Sequence, residues 1–293
     1  MKKKSKTFFD ERGVKYSYLD NENSSDVKLV SCPRYIEGEF QTSERLVAIG
    51  EGAFYSCKKV TSIKAYNLIQ IENNAFTESG LEKIEITKSV KSIGREAFFS
   101  CKNLTKVTFE PGVESIGRNA FAASGIESIS LPYTITSIGS SAFRQCPNLK
   151  SVVLPEKLVE VPSEAFEGCK KLESVTFSLQ KVTRIADYAF ANCVALKFIK
   201  IPDSVIDLGN RSFKGCKNLL CATLPENVKT IGDEAFADCE NLRQVVLPAS
   251  IESIGANAFA NCPKLESIMV QDIERFCKME GLKGFFHWYF QEW

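Results

Sequence analysis

The sequence predicts an α/β repeat solenoid, a single elongated domain built from one small unit used about ten times. Two observations carry this. A phenylalanine recurs through Phe54, Phe76, Phe98, Phe121, Phe143, Phe166, Phe190, Phe213, Phe236 and Phe259, at intervals of 22 to 24 residues. Around each lies the same context, clearest in Leu224–Leu247: a return segment Val228-x-x-Ile231-Gly232, then Ala235-Phe236 with Cys239 three residues on, then Leu242-x-x-Val245-x-Leu247-Pro248. A fixed period of this length marks units that cannot bury an apolar face alone and do so by stacking.

The strand of each unit has apolar residues at its first, fourth and sixth positions, as in Leu104-x-x-Val107-x-Phe109 and Leu149-x-x-Val152-x-Leu154. Five strands end in an apolar-Pro step, at Pro132, Pro155, Pro202, Pro225 and Pro248. Proline donates no ladder hydrogen bond and so stops a strand at a set place. After the return segment, the Ala-Phe-x-x-Cys stretch places Phe and Cys on one face of a short helical or 3₁₀ turn. The residue after the return isoleucine is glycine in seven units but Glu72, Pro162 and Ala186 in three. Because proline holds φ negative, that column is expected to avoid left-handed backbone. Truncating a mid-array Phe143 or Phe166 to alanine is expected to cost about 3–5 kcal/mol, and Phe54, read as an end position, less.

Of eleven cysteines, eight occupy the third position after the repeat phenylalanine, and Ser79 and Ser124 fill that position in the other two units. A column that accepts serine does not need a partner sulfur. It reads as reduced, buried thiols rather than a disulfide scaffold, which mildly favours a reducing compartment. No C-x-x-C occurs, so no metal ligand set is predicted.

The chain divides into a basic, disordered tail over 1–7, an N-terminal β-hairpin cap over 8–44, the array over 45–270 and an aromatic C-terminal cap over 271–293. The hairpin is read from Val14–Leu19 and Val27–Val30 around a polar loop. In the last segment Phe285, Phe286, Trp288, Tyr289, Phe290 and Trp293 form either a cap over the last unit or a patch for self-association.

Lys plus Arg is 37 against 36 Asp plus Glu, which gives no general pull toward nucleic acid. No apolar run is long enough to span a membrane, so neither a nucleic-acid partner nor membrane insertion is expected. Lys2–Lys6 is basic, but no signal-peptide apolar core follows, which keeps a cytoplasmic location open. A single histidine, His287, lies in the aromatic tail, so no catalytic residues, metal or cofactor are predicted and the chain reads as a non-enzyme.

The third and fifth strand positions point outward, and stacking turns them into one surface. The candidate binding residues are Lys64, Lys83, Glu85, Lys106, Thr108, Phe198, Lys200, Gln244 and Met269. The surface changes from charged residues through hydroxylic ones such as Ser128, Ser130 and Ser151 to more apolar ones. Phe198 is either a binding anchor or a scattered surface aromatic.

The combined pattern L-x-x-[IV]-x-[LI]-P and V-x-x-I-G-x-x-A-F-x-x-C over residues 45–270 resembles the BspA-like leucine-rich repeats. The resemblance implies a right-handed horseshoe with a concave parallel β-sheet. It also implies a surface or secreted, adhesin-like protein that binds a protein or glycan. An intracellular scaffold is the alternative reading, and a carbohydrate-active solenoid enzyme the third.

Overall fold

The structure is a computed structural model and describes residues 7–18, 26–178 and 181–276. The chain separates into two compact units, Met1–Cys146 and Pro147–Trp293. Each is a stack of parallel β coils. The aromatic residues Phe285 to Trp293 and the lysines of the first six positions lie outside the described residues.

The expected α/β horseshoe with helical turns is corrected: the coils are strand and β-turn, without helix. The one described helical turn, Ile273–Phe276, follows the last coil. The reason lies in the backbone of the Ala-Phe segment. In the coil containing Phe76, the N–H groups of Ala75, Thr77 and Ser79 close turns onto Glu72, Asn74 and Phe76. The alternate N–H groups of Asn74, Phe76 and Glu78 instead donate to Arg95, Ala97 and Phe99 of the next coil. Asn74 and Glu78 hold φ of 56° and 57°. Left-handed residues at every fourth position end any helical run. Both flanks of a coil are then hydrogen-bonded to the next coil, and no helical layer is left to form the outer side of a horseshoe.

The left-handed residues form two columns, two before and two after each repeat phenylalanine. Glycine, asparagine or aspartate fill nine of these twenty positions, and the rest are residues such as Glu96, Ala123, Gln145 and Tyr188. The glycines after the return isoleucine, as expected, are not left-handed. They are there for close approach: a Cβ on Gly94 would stand 2.5 Å from the carbonyl carbon of Glu72.

In the first unit, the return strands Val27–Ser31, Leu46–Ile49, Gln70–Ile71, Ser92–Ile93, Ser115–Ile116 and Ser137–Ile138 form one parallel series. Antiparallel Lys15–Tyr18 and Thr7–Phe9 extend it at the N-terminal edge. The opposite flank pairs Gly38–Gln41 with Val60–Lys64, and Lys83–Ile86 with Lys106–Phe109. In the second unit, five return strands from Glu160–Val161 to Ser253–Ile254 form one sheet. Its strand flank pairs Ser151–Leu154 with Ser174–Phe177, and joins Cys221–Thr223, Gln244–Leu247 and Ser267–Val270.

Between the flanks, the phenylalanines are fully buried and stack face to face. Ring centroids are 5.0 Å apart for Phe98–Phe121 and 5.5 Å for Phe190–Phe213. Phe54 is not the end of its stack, contrary to the sequence reading. Phe40 packs edge-on against it at 5.2 Å, and the Arg12 guanidinium lies 4.8 Å from the Phe40 ring. Asp10 holds that guanidinium through bonds of 2.9 and 3.1 Å. Phe54 therefore has ring neighbours on both sides, and its truncation is expected to cost as much as that of a mid-stack phenylalanine. The ten described cysteines are free thiols, most of them buried.

Candidate functional site: the strand faces

Alternation puts one side of each strand in the core and the other toward solvent. In Lys83–Ile86 the burial pattern is exposed, buried, exposed, buried, and Lys106–Phe109 repeats it through Thr108. The nine candidate residues are all exposed. In the first unit, register places Lys106 against Lys83 and Thr108 against Glu85. In the second, Gln244 stands between Cys221 and Ser267, and Val246 between Thr223 and Met269. Phe198 and Lys200 belong to a coil that makes no regular strand at this point, so they interrupt the face rather than continue its ladder. Phe198 is 60 % exposed and Met269 51 %.

Three further residues belong to this surface. Gly38–Gln41 pairs in register with Val60–Lys64, which sets Glu39 against Ser62 and Gln41 against Lys64. Ser62 is thereby covered, its Oγ 3.5 Å from Glu39 Oε2. Tyr66 is exposed, with Lys64 Nζ 5.5 Å from its ring centroid. The segment before Gln41 lacks the repeat pattern, so only its pairing reveals Glu39 and Gln41.

Elsewhere the charges serve the stack itself. On the return flank, Arg184 meets Asp207 in register at 2.9 Å, and Lys229 meets Glu252 at 3.1 Å. On the turns, hydrogen bonds from Arg211 and Lys214 pull the Glu234 carboxyl down to about 2. An open groove of about 270 Å³ on the return flank of the second unit is lined by Arg184, Asp187, Asp207, Asn210, Asp233 and neighbouring residues. Its polar atoms form a ladder between coils: Asn210 N–H donates to Asp187, Asp233 N–H to Asn210, and Ala256 N–H to Asp233, over 2.7–3.0 Å. The groove is therefore largely self-satisfied.

Among the described residues no group of three or more His, Cys, Asp or Glu is placed to hold a metal ion. Nor is any described helix long and apolar enough to cross a membrane. The strand faces present rows of outward side chains held in register.

The family of BspA type leucine rich repeat regions matches in six copies over residues 36–122, 69–182 and 160–279. The chain belongs to the BspA-type leucine-rich repeat family. Among solved structures, this BspA-type chain is similar to a leucine-rich repeat protein from Bacteroides ovatus ATCC 8483. The two are 21% identical over 89% of this chain and 94% of that one, with a TM-score of 0.50. It is also similar to the pneumococcal vaccine antigen PcpA, at 20% identity over 93% of this chain and 89% of that one, with a TM-score of 0.53. At these identities the likeness of the BspA-type chain concerns the fold. No curated protein matches the sequence.

Proposed function

We propose that this BspA-type protein is a non-enzymatic recognition protein of the bacterial cell surface, which binds a protein or glycan through its strand faces. The observation that carries this reading is the contrast between the two sides of each strand. The inward positions hold Ile84, Val107, Val152 and Val245, all buried. The outward positions change from Lys83 and Glu85 to Ser128 and Ser130 and then to Gln244 and Met269. Stacking constrains the first set, and the second is available to a ligand. Exposed Phe198 supplies an apolar contact of the kind that anchors interfaces. The surface location draws support from family membership and from the fold shared with a pneumococcal antigen.

Two measurements test this. Protease shaving of intact native cells should release peptides from around Phe198 without lysis markers. Purified protein should bind immobilised extracellular proteins or glycans, and Thr176→Trp/Thr223→Trp on the strand face should remove that binding. A Lys229→Trp change on the return flank should not. Equal loss from both flanks would overturn the strand-face assignment. The free thiols favour a second reading, an intracellular scaffold. Protection of the peptides until lysis would select it.

A further inference from the structure

Lys83 and Lys106 face each other in register on neighbouring parallel strands. Neither side-chain ammonium group has an ion-pair or hydrogen-bond partner among the described residues. Like charges directly opposite on a sheet are destabilising. Elsewhere in the same unit, ion pairs between coils compensate charge, as in Lys59 with Glu37 at 3.2 Å, Lys58 with Glu78 at 3.5 Å and Lys91 with Glu114 at 3.5 Å. The lysine pair is thus a place on this unit where charge works against the stack.

Resting on the strand-face reading, we infer that Lys83 and Lys106 form the contact site for an acidic polysaccharide lying across the strands. The sign follows from the uncompensated ammonium groups. Glu85, on the same face beside Thr108, limits the local excess, so a few placed contacts rather than a broad basic field do the binding. The class of ligand follows from the surroundings. Protein hot spots are desolvated pockets with aromatic or arginine anchors, whereas Lys83 and Lys106 stand on a flat face among hydroxyls. Thr108, Ser128 and Ser130 are exposed there and can both donate and accept hydrogen bonds. The exposed ring of Tyr66 beside Lys64 gives a sugar ring a surface to stack on.

The test uses the full chain with four probes: heparin, polygalacturonate, neutral dextran and poly-L-glutamate. The wild type should bind one or both acidic polysaccharides, more weakly as salt is raised, and should not bind dextran. Lys83→Gln/Lys106→Gln should weaken this binding by about tenfold or more, with thermal stability unchanged or raised. Lys83→Arg/Lys106→Arg should retain it, and Lys91→Gln/Lys229→Gln should leave it unaltered. Undiminished binding by a folded glutamine pair would overturn the proposal, as would poly-L-glutamate binding at least as tightly as the polysaccharides. If Thr176→Trp/Thr223→Trp removes binding to another partner while the glutamine pair keeps it, the strand-face reading stands and this inference fails.

Discussion

Cys101 donates its thiol hydrogen to the carbonyl oxygen of Phe76, one coil back, across 2.9 Å. The same oxygen accepts the Ser79 N–H at 2.9 Å, so the thiol fills the second lone pair of a buried carbonyl. The contact recurs as Cys146 to Phe121, Cys193 to Phe166, Cys216 to Phe190 and Cys239 to Phe213, over 3.1–3.4 Å. The cysteine column is therefore a row of weak donors tying coil to coil as well as a small apolar filler. Where serine replaces cysteine, Ser79 Oγ pairs with Cys101 Sγ at 3.3 Å.

Removing the donor should be felt. Cys101→Ala is expected to lower stability by about 1–2 kcal/mol, the sum of a small cavity and a lost weak bond, and Cys101→Ser by less. Urea unfolding of the three proteins measures this. An alanine variant as stable as the wild type would reduce the thiol to a filler.

Alkaline pH should unfold the protein through these thiols. Burial pushes Cys101 up to about 11 and Cys216 up to about 12, from an ordinary 9.0. Burial likewise raises Tyr16 to about 12. The unfolded chain loses these protons first, so it binds fewer than the folded chain and stability falls as pH rises. The stabilisation is complete below about pH 9 and is lost progressively toward about pH 12. Denaturant midpoints taken across that range should drop steadily. A flat profile would count against buried, protonated thiols.

The backbone columns give opposite predictions for two glycine exchanges. Ala123 holds φ of 56°, so Ala123→Gly should raise stability by about 1 kcal/mol, the relieved strain exceeding the entropy cost of glycine. Gly94→Ala should lower it by about 1–3 kcal/mol, because the new Cβ meets backbone of the preceding coil at 2.5 Å. Thermal melts of the pair decide the matter. Loss of stability in Ala123→Gly would mean that the left-handed column carries no strain.

Ser212 occupies the column that is alanine in the other coils, and its hydroxyl is fully buried without a hydrogen-bond partner among the described residues. Ser212→Ala should therefore stabilise the protein by about 1 kcal/mol. Calorimetry of the variant checks this, and a lower melting temperature would reveal a partner for the hydroxyl.

The repeat was legible because Phe, Cys and Leu columns recur wherever the core recurs, and burial leaves such positions few alternatives. The turns were not. Glu96, Gln145 and Tyr188 give no local sign of left-handed backbone, and the useful signal was the glycine and asparagine scattered two residues either side of the phenylalanine. The glycines that drew attention, such as Gly94, mark close packing. The strand-face residues were legible from alternation alone, but Glu39 and Gln41 were not, because their strand lacks the apolar spacing that defines the others.

By itself the sequence determined the period, the inward and outward sides of each strand, and membership of a stacked repeat class. These depend on burial, which selects residue type directly. The tertiary structure decided what occurs between coils: the change from helical turn to left-handed β-turn, the thiol bond from Cys101 to Phe76, and the facing of Lys83 by Lys106. Each depends on groups 21 to 25 residues apart that meet only when one coil is laid on the next. Hydrogen bonding and charge register between neighbours set them, and no single unit holds both partners.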